Sequence, residues 1–215
     1  MIPAIAMRRP EFIAVQRRHP TGILGALIAR LMAHETAADN KQAIGLLGLK
    51  DRDWVLDVGT GHGRSLRVIS GLAPEGYAVG VDTSETALRI AARNNCDLIR
   101  KGLAKVEHAR SEALQFADAS FDKAMAVHTL YFWDPAEPHL AEIWRVLKPN
   151  GKFVIGFRPA EDQMATRRFP ASLYTFRAVA EVESLLIRSG FKICRKQHRD
   201  TPGDTMVWIV ARKTA

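Results

Sequence analysis

Apolar residues along the chain follow two alternating rhythms. Compact runs of buried type recur at Trp54–Val58, Tyr77–Asp82, Ala104–His108, Phe121–Val127 and Lys152–Phe157. Each has the length of a strand, and stretches with helical spacing lie between them. Ser84 is suited to cap a helix running towards Asn94. Asp134 and Pro135 predict the cap and first turn of a helix whose Leu140, Ile143, Trp144 and Leu147 form one apolar stripe. Pro149-Asn150-Gly151 predicts a turn into the fifth strand. Thr175 predicts the cap of a helix that stops at Gly190. Phe191–Arg195 and Thr205–Ala211 then read as the sixth and seventh strands, joined through Pro202-Gly203.

The fold class expected is α/β: a mostly parallel, Rossmann-like seven-stranded sheet with helices on both faces. About ten residues link the last two strands, too few for a helical crossover, so the seventh strand is expected to be antiparallel. Residues 1–50 read as a helical segment and a candidate lid, and residues 51–215 as the sheet domain. In that segment Ile23, Leu27, Ile28, Leu31 and Met32 share a face, and Ala43, Ile44, Leu46 and Leu47 form a second. Pro20-Thr21-Gly22 marks a break before the longer helix.

Composition narrows the setting. With 47% hydrophobic and 25% charged residues the chain is of ordinary globular type. The net charge of +8 comes partly from the pairs Arg8-Arg9, Arg17-Arg18, Arg167-Arg168 and Arg195-Lys196. Such dispersed pairs suit a solvated face, an acidic ligand or an anionic membrane surface. Cys96 and Cys194 make neither a disulfide framework nor a metal-ligand pattern, so no metal is expected and a reducing, cytoplasmic setting is. Ile23–Met32 is too short to cross a bilayer, and the N-terminus carries no signal-peptide pattern.

The candidate chemistry begins at Asp57-Val58-Gly59-Thr60-Gly61-His62-Gly63, which follows a strand and precedes a helix. Glycines there let the backbone turn tightly and approach a ligand, and the helix start offers free N–H groups. Nicotinamide enzymes favour a glycine at the position of Arg64, so a pyrophosphate reading is disfavoured. Asp82 ends the next strand, where a carboxylate reaches both hydroxyls of a ribose or else caps the following helix.

Taken in order, these strings resemble the class I S-adenosylmethionine-dependent methyltransferases, and within them the type 11 domain that includes ubiquinone- and menaquinone-pathway enzymes. The resemblance rests on Val55 to Gly63, Val79 to Asp82, Phe121 to Ala124, Trp144 to Gly151 and Ser189-Gly190-Phe191. It covers roughly residues 40 to 212. It implies that S-adenosylmethionine is the cofactor, with Gly59, Thr60, Gly61 and Gly63 along its methionine part and Asp57 at its amino group. It implies Asp82 on the ribose, with Thr83 beside it, and Glu112-Ala113 near the adenine amino group. Glu112 stands where an aspartate is usual, and Ser111 where glycine is, so the contact is made by a side chain one methylene longer. His128 falls where the family lines the pocket near the transferable methyl.

His128 is the first candidate for a base or polar pocket residue, and Tyr131 the second; a hydrogen-bonded strand-end histidine is the competing reading. Tyr131-Phe132-Trp133 reads either as a flat wall for an aromatic or prenylated substrate or as packing. His62 reads as exposed and so does Arg64, whose alternative role is to pair with the cofactor's carboxylate against the helix dipole. His19 and His34 reach the pocket only if the N-terminal helices close over it. The expected function is methyl transfer to a small-molecule acceptor. The alternatives are a lipid or prenylated-quinone methyltransferase in peripheral contact with a membrane, a non-catalytic cofactor-binding module, and a nicotinamide oxidoreductase. Val127-His128-Thr129-Leu130 lacks the signature of nucleic-acid amino-methyltransferases and no RNA-binding module is evident, so no nucleic-acid partner is expected.

Overall fold

Along β1 (Trp54–Val58), successive side chains point to opposite faces, and residues Val55 to Val58 are all buried. A strand with no wet face needs cover on both sides, and the chain supplies it. This computed structural model describes residues 11–18, 21–22, 25, 28, 35–201 and 203–214. Arg8-Arg9, His19, His34, Pro202 and most of Ile23–Met32 lie outside the described residues.

Strands β2 (Tyr77–Asp82), β3 (Ala104–His108), β4 (Phe121–Val127), β5 (Leu147–Phe157), β6 (Phe191–Arg199) and β7 (Met206–Lys213) join β1 in one sheet. Its order is β3-β2-β1-β4-β5-β7-β6. β1 pairs in parallel with β2 and β4, and β7 runs antiparallel to both β5 and β6. The expected Rossmann-like sheet with its antiparallel last strand is thus present.

Among the described residues the bounded helices are α1 (Glu11–Arg18), α2 (Ala37–Leu47), α3 (Arg64–Leu72), α4 (Glu85–Asn94), α5 (Cys96–Arg100), α6 (Glu137–Val146), α7 (Gln163–Thr166) and α8 (Val179–Arg188). On one face Leu56, Val79, Ala124 and Phe153 pack with Leu140 and Ile143 of α6 and Val182 and Leu186 of α8. On the other, Val55, Met125, Val154 and Trp208 pack with Ala43, Ile44 and Leu47 of α2 and with Leu66 and Ile69 of α3. The helix Ala37–Leu47 therefore shares a core with the sheet.

Two expected caps differ. Helix α6 begins at Glu137 and its cap residue, Ala136, makes no side-chain cap bond. Asp134 faces Arg177 instead, 3.6 Å away, because a short 3-10 turn at Leu130–Phe132 delays the helix. Helix α8 begins at Val179, and the Thr175 N–H donates to the Tyr131 carbonyl at 3.0 Å. Packing of the segment before α8 against that turn displaces the predicted start. β6 and β7 run longer than predicted, to Arg199 and Lys213, because they pair with each other along nearly their whole length. Among the described residues no helix is long and apolar enough to cross a membrane.

Candidate functional site

The sheet order reverses at β1, which lies between β2 and β4. Open α/β sheets bind ligands in the crevice outside the carboxyl ends of strands at such a point. A cavity of about 560 Å³ lies there. Its floor is the glycine loop, folded back so that the Gly59 and Thr60 N–H groups donate to the Val81 carbonyl at 2.8 and 3.0 Å.

Gly59, Gly61 and Gly63 all have positive φ, at 75°, 56° and 71°. A Cβ on Gly59 would stand 2.0 Å from Thr129 Cγ2, whereas one on Gly61 meets no atom within 4 Å. Gly59 is thus required by packing, and Gly61 leaves bare backbone open to the cavity. Asn94 and Asn95 brace the loop from α4, donating to the His62 and Gly63 carbonyls at 3.0 and 2.9 Å.

Two carboxylates lie under this loop. Asp57 is buried and accepts from the Ser65 hydroxyl; burial pushes its pKa up to about 6. Asp82 accepts the Gly61 N–H through Oδ2 and the Ser84 N–H through Oδ1, each at 2.9 Å. Those bonds fix its plane at the cavity wall, and each oxygen has capacity for a further hydrogen bond.

Further along, Glu112 lines the cavity between Arg110 and His139. The His139 ring stacks on Trp133 at 5.0 Å between centroids, and its Nδ1 lies 2.7 Å from the Ser111 hydroxyl. Thr60, His62 and Thr83 also line the cavity. Gly63 and Ala113 do not: Gly63 is buried beneath the loop and Ala113 turns to solvent. Arg64 is exposed and away from the cavity lining.

The opposite end is aromatic. Phe132, Phe169, Tyr174 and Phe176 line it together with Tyr131. Their rings pack on one another, with Phe132–Tyr174 and Tyr131–Phe176 centroids both 4.9 Å apart.

Between the two ends stands His128, at φ +61°, a left-handed conformation uncommon for any residue but glycine. Its Nε2 lies 2.8 Å from Asp39 Oδ2 and its Nδ1 lies 3.1 Å from the Tyr131 hydroxyl. That hydroxyl accepts the Arg158 N–H at 2.6 Å. Asp39 is buried at 1% exposure and also accepts from Arg199 through Oδ1 at 2.7 Å. Burial opposes its charge, but His128 and Arg199 outweigh burial and leave its pKa below the usual value. Burial pushes the Tyr131 phenol well above its usual range.

Sequence patterns did not point to Asp39, Arg199, Arg158, His139 or the rings at 169–176. Asp39 is polar on an otherwise apolar helix face, and a buried polar position of that kind was the one available signal.

Residues 56–155 match the family model described as a methyltransferase domain. The chain carries a methyltransferase domain. Over 185 residues it is 29% identical to the methyltransferase YdaC of Bacillus subtilis (strain 168), covering 86% of this chain and 97% of YdaC. It spans about half the length of other curated methyltransferases that it matches. Its fold is similar to a chain from the complex of the Haloferax volcanii Trm112 methyltransferase activator with a methyltransferase. There the TM-score is 0.79 at 19% identity, with 88% of this chain and 94% of that one covered. A SAM-dependent methyltransferase from Methanosarcina mazei superposes with a TM-score of 0.65 at 20% identity, over 80% of this chain and 96% of that one.

Proposed function

We propose that this methyltransferase domain moves the methyl group of S-adenosylmethionine to a small-molecule acceptor. When bound, that cofactor supplies a methyl carbon already activated by its sulfonium sulfur. The observation that carries the reading is the pair Asp57 and Asp82 beneath a loop whose Gly61 backbone faces the cavity. Bare backbone beside two carboxylates suits a cation with an amino group and a ribose. A pyrophosphate would meet two negative charges there.

In this reading Asp57 holds the amino group and Asp82, with Thr83 beside it, takes the ribose hydroxyls. Gly59, Thr60, Gly61 and Gly63 shape the floor under the methionine part, Gly63 from behind through Asn95. Glu112, held by Arg110 and His139, faces the adenine amino group. Ala113 supplies only the turn, through its N–H to the Arg110 carbonyl. His128 and Tyr131 stand at the acceptor side. The rings of Phe132, Phe169, Tyr174 and Phe176 suit a flat apolar acceptor. Holding acceptor and methyl in line is worth on the order of 7–11 kcal/mol in favourable model reactions.

Calorimetric titration with S-adenosylhomocysteine tests the cofactor. Saturable binding that Asp82→Ala weakens is the expected result, and no heat with the wild-type protein would remove the proposal. Phe12 and Val15, exposed at 59% and 43% on α1, favour a second reading in which the acceptor is drawn from a membrane surface. Failure to sediment with anionic vesicles at low salt would remove that one.

A further inference from the structure

The hydrogen bonds around His128 assign its protons. Asp39 Oδ2, an ionised carboxylate oxygen, only accepts, so a neutral His128 ring carries its proton on Nε2. Its Nδ1 then takes the proton of the Tyr131 phenol, whose oxygen accepts the Arg158 N–H. Both ring nitrogens are engaged, so a group in the cavity passes a proton to His128 only by way of Tyr131, which lines the cavity.

The geometry points to a proton relay, Tyr131 to His128 to Asp39, with Asp39 as its positioning residue and with an acceptor that arrives protonated. This rests on the methyl-transfer reading and narrows the substrate to a flat compound carrying a hydroxyl or N–H nucleophile. The acceptor X–H gains a new X–C bond to the methyl carbon while the methyl–sulfur bond breaks and leaves its pair on sulfur. The X–H proton goes to the Tyr131 oxygen as the phenol proton moves to His128 Nδ1. The imidazolium so formed faces the Asp39 carboxylate.

Three features support a relay over simple packing. Asp39 lies in α2, outside the span matched by the family model, yet its carboxylate is directed at the strand-four edge. His128 keeps a left-handed backbone to meet it, a conformation that costs of order 1–3 kcal/mol. Tyr131 is too deeply buried to ionise alone, so a neutral phenol that hands one proton on as it takes another is the available chemistry. Glu35 lines the same cavity, Arg199 backs Asp39, and Arg158 pairs with Asp204 at 2.8 Å.

Asp39→Asn makes a sharp test. Arg199 holds Oδ1, so an asparagine keeps its oxygen towards Arg199 and turns its NH2 towards His128. Nε2 must then accept, and the ring proton moves to Nδ1. Imidazole nitrogen NMR should show an Nε2–H tautomer in the wild type and in Tyr131→Phe, and an Nδ1–H tautomer in Asp39→Asn. An Nδ1–H tautomer in the wild type, or no change in Asp39→Asn, would overturn the relay. Titrating each protein with S-adenosylhomocysteine keeps the two readings apart, because the tautomer is read whether or not the cofactor binds. Tyr131→Phe removes a single hydroxyl and guards against a folding defect at the buried Asp39. Assayed with S-adenosylmethionine and a pool of phenols and aromatic amines, both variants should lose about 10²–10⁴-fold in kcat with KM nearly unchanged. Retained kcat in either, or no wild-type turnover of the pool, would overturn the inference.

Discussion

His128 Nε2 lies 2.8 Å from Asp39 Oδ2, a contact that spans 89 positions of sequence. It joins the carboxyl end of β4 to the first turn of α2, so the N-terminal segment contributes a buried carboxylate behind the cavity-lining His128. Arg199, from the end of β6, closes the same cluster at 2.7 Å. Three elements remote in sequence thus meet at one carboxylate.

The glycine loop separates packing from ligand contact. Gly59→Ala forces a Cβ into Thr129 at a backbone angle suited to glycine, so a loss of about 2 kcal/mol or more is expected. Thermal unfolding should register this as a fall in Tm of roughly 4–8 °C. Gly61→Ala meets no protein atom and should lower Tm less, while weakening S-adenosylhomocysteine binding at least as much. Equal effects of the two on both readouts would contradict this division.

Asp82→Asn keeps the shape of the side chain but turns an NH2 towards one of the two N–H groups it now accepts. Lost hydrogen bonds to a charged acceptor are worth about 1.5–3 kcal/mol each. Calorimetry should show S-adenosylhomocysteine affinity reduced by roughly 10- to 100-fold, as that energy implies. Unchanged affinity would remove Asp82 from the ribose site.

Asp57 gives a pH dependence of unusual sign. Its pKa is raised from 3.8 to about 6 in the folded protein. Between those values the native state holds a proton that the unfolded chain releases, so this group's contribution is fully present below pH 4. It is lost as pH rises through 6, a change on the order of 3 kcal/mol. Asp39, Glu142 and Asp162 have lowered pKa values and act in the opposite direction. The difference between wild type and Asp57→Asn isolates the effect: urea unfolding should show the variant gaining relative stability from pH 4 to pH 7. Parallel profiles would show that Asp57 does not titrate in that window.

Binding a cation beside Asp57 favours its ionised form, so complex formation near pH 6 should release a proton. Calorimetry of S-adenosylhomocysteine binding in buffers of different ionisation enthalpy reads this directly. No buffer dependence at pH 6 would place the ligand's amino group elsewhere.

The strand–helix alternation was legible because the central strands β1, β2 and β4 are buried on both faces over most of their length and helices such as α6 and α8 bury one apolar stripe. Val55–Val58 and the stripe of Leu140 and Ile143 wrote themselves into local composition. The predicted caps at Asp134 and Thr175 were not met, because both residues answer to tertiary partners: Arg177 in one case and Tyr131 in the other. The glycine loop and the carboxylates Asp57 and Asp82 were legible because backbone conformation and strand-end position are local properties. Ala113 was legible only as the neighbour of Glu112, and it points to solvent.

Sequence by itself determined the sheet, its antiparallel last strand and the carboxylate-and-glycine floor of the cavity, since periodicity and positive φ act within a few residues. It determined that His128 and Tyr131 stand at the strand-four edge. Only the tertiary structure decided which way their protons face. That depends on Asp39, Arg199 and the Arg158 N–H, which three different elements bring within hydrogen-bond reach. Hydrogen bonds act over about 3 Å in space whatever the distance along the chain, so no local pattern records them.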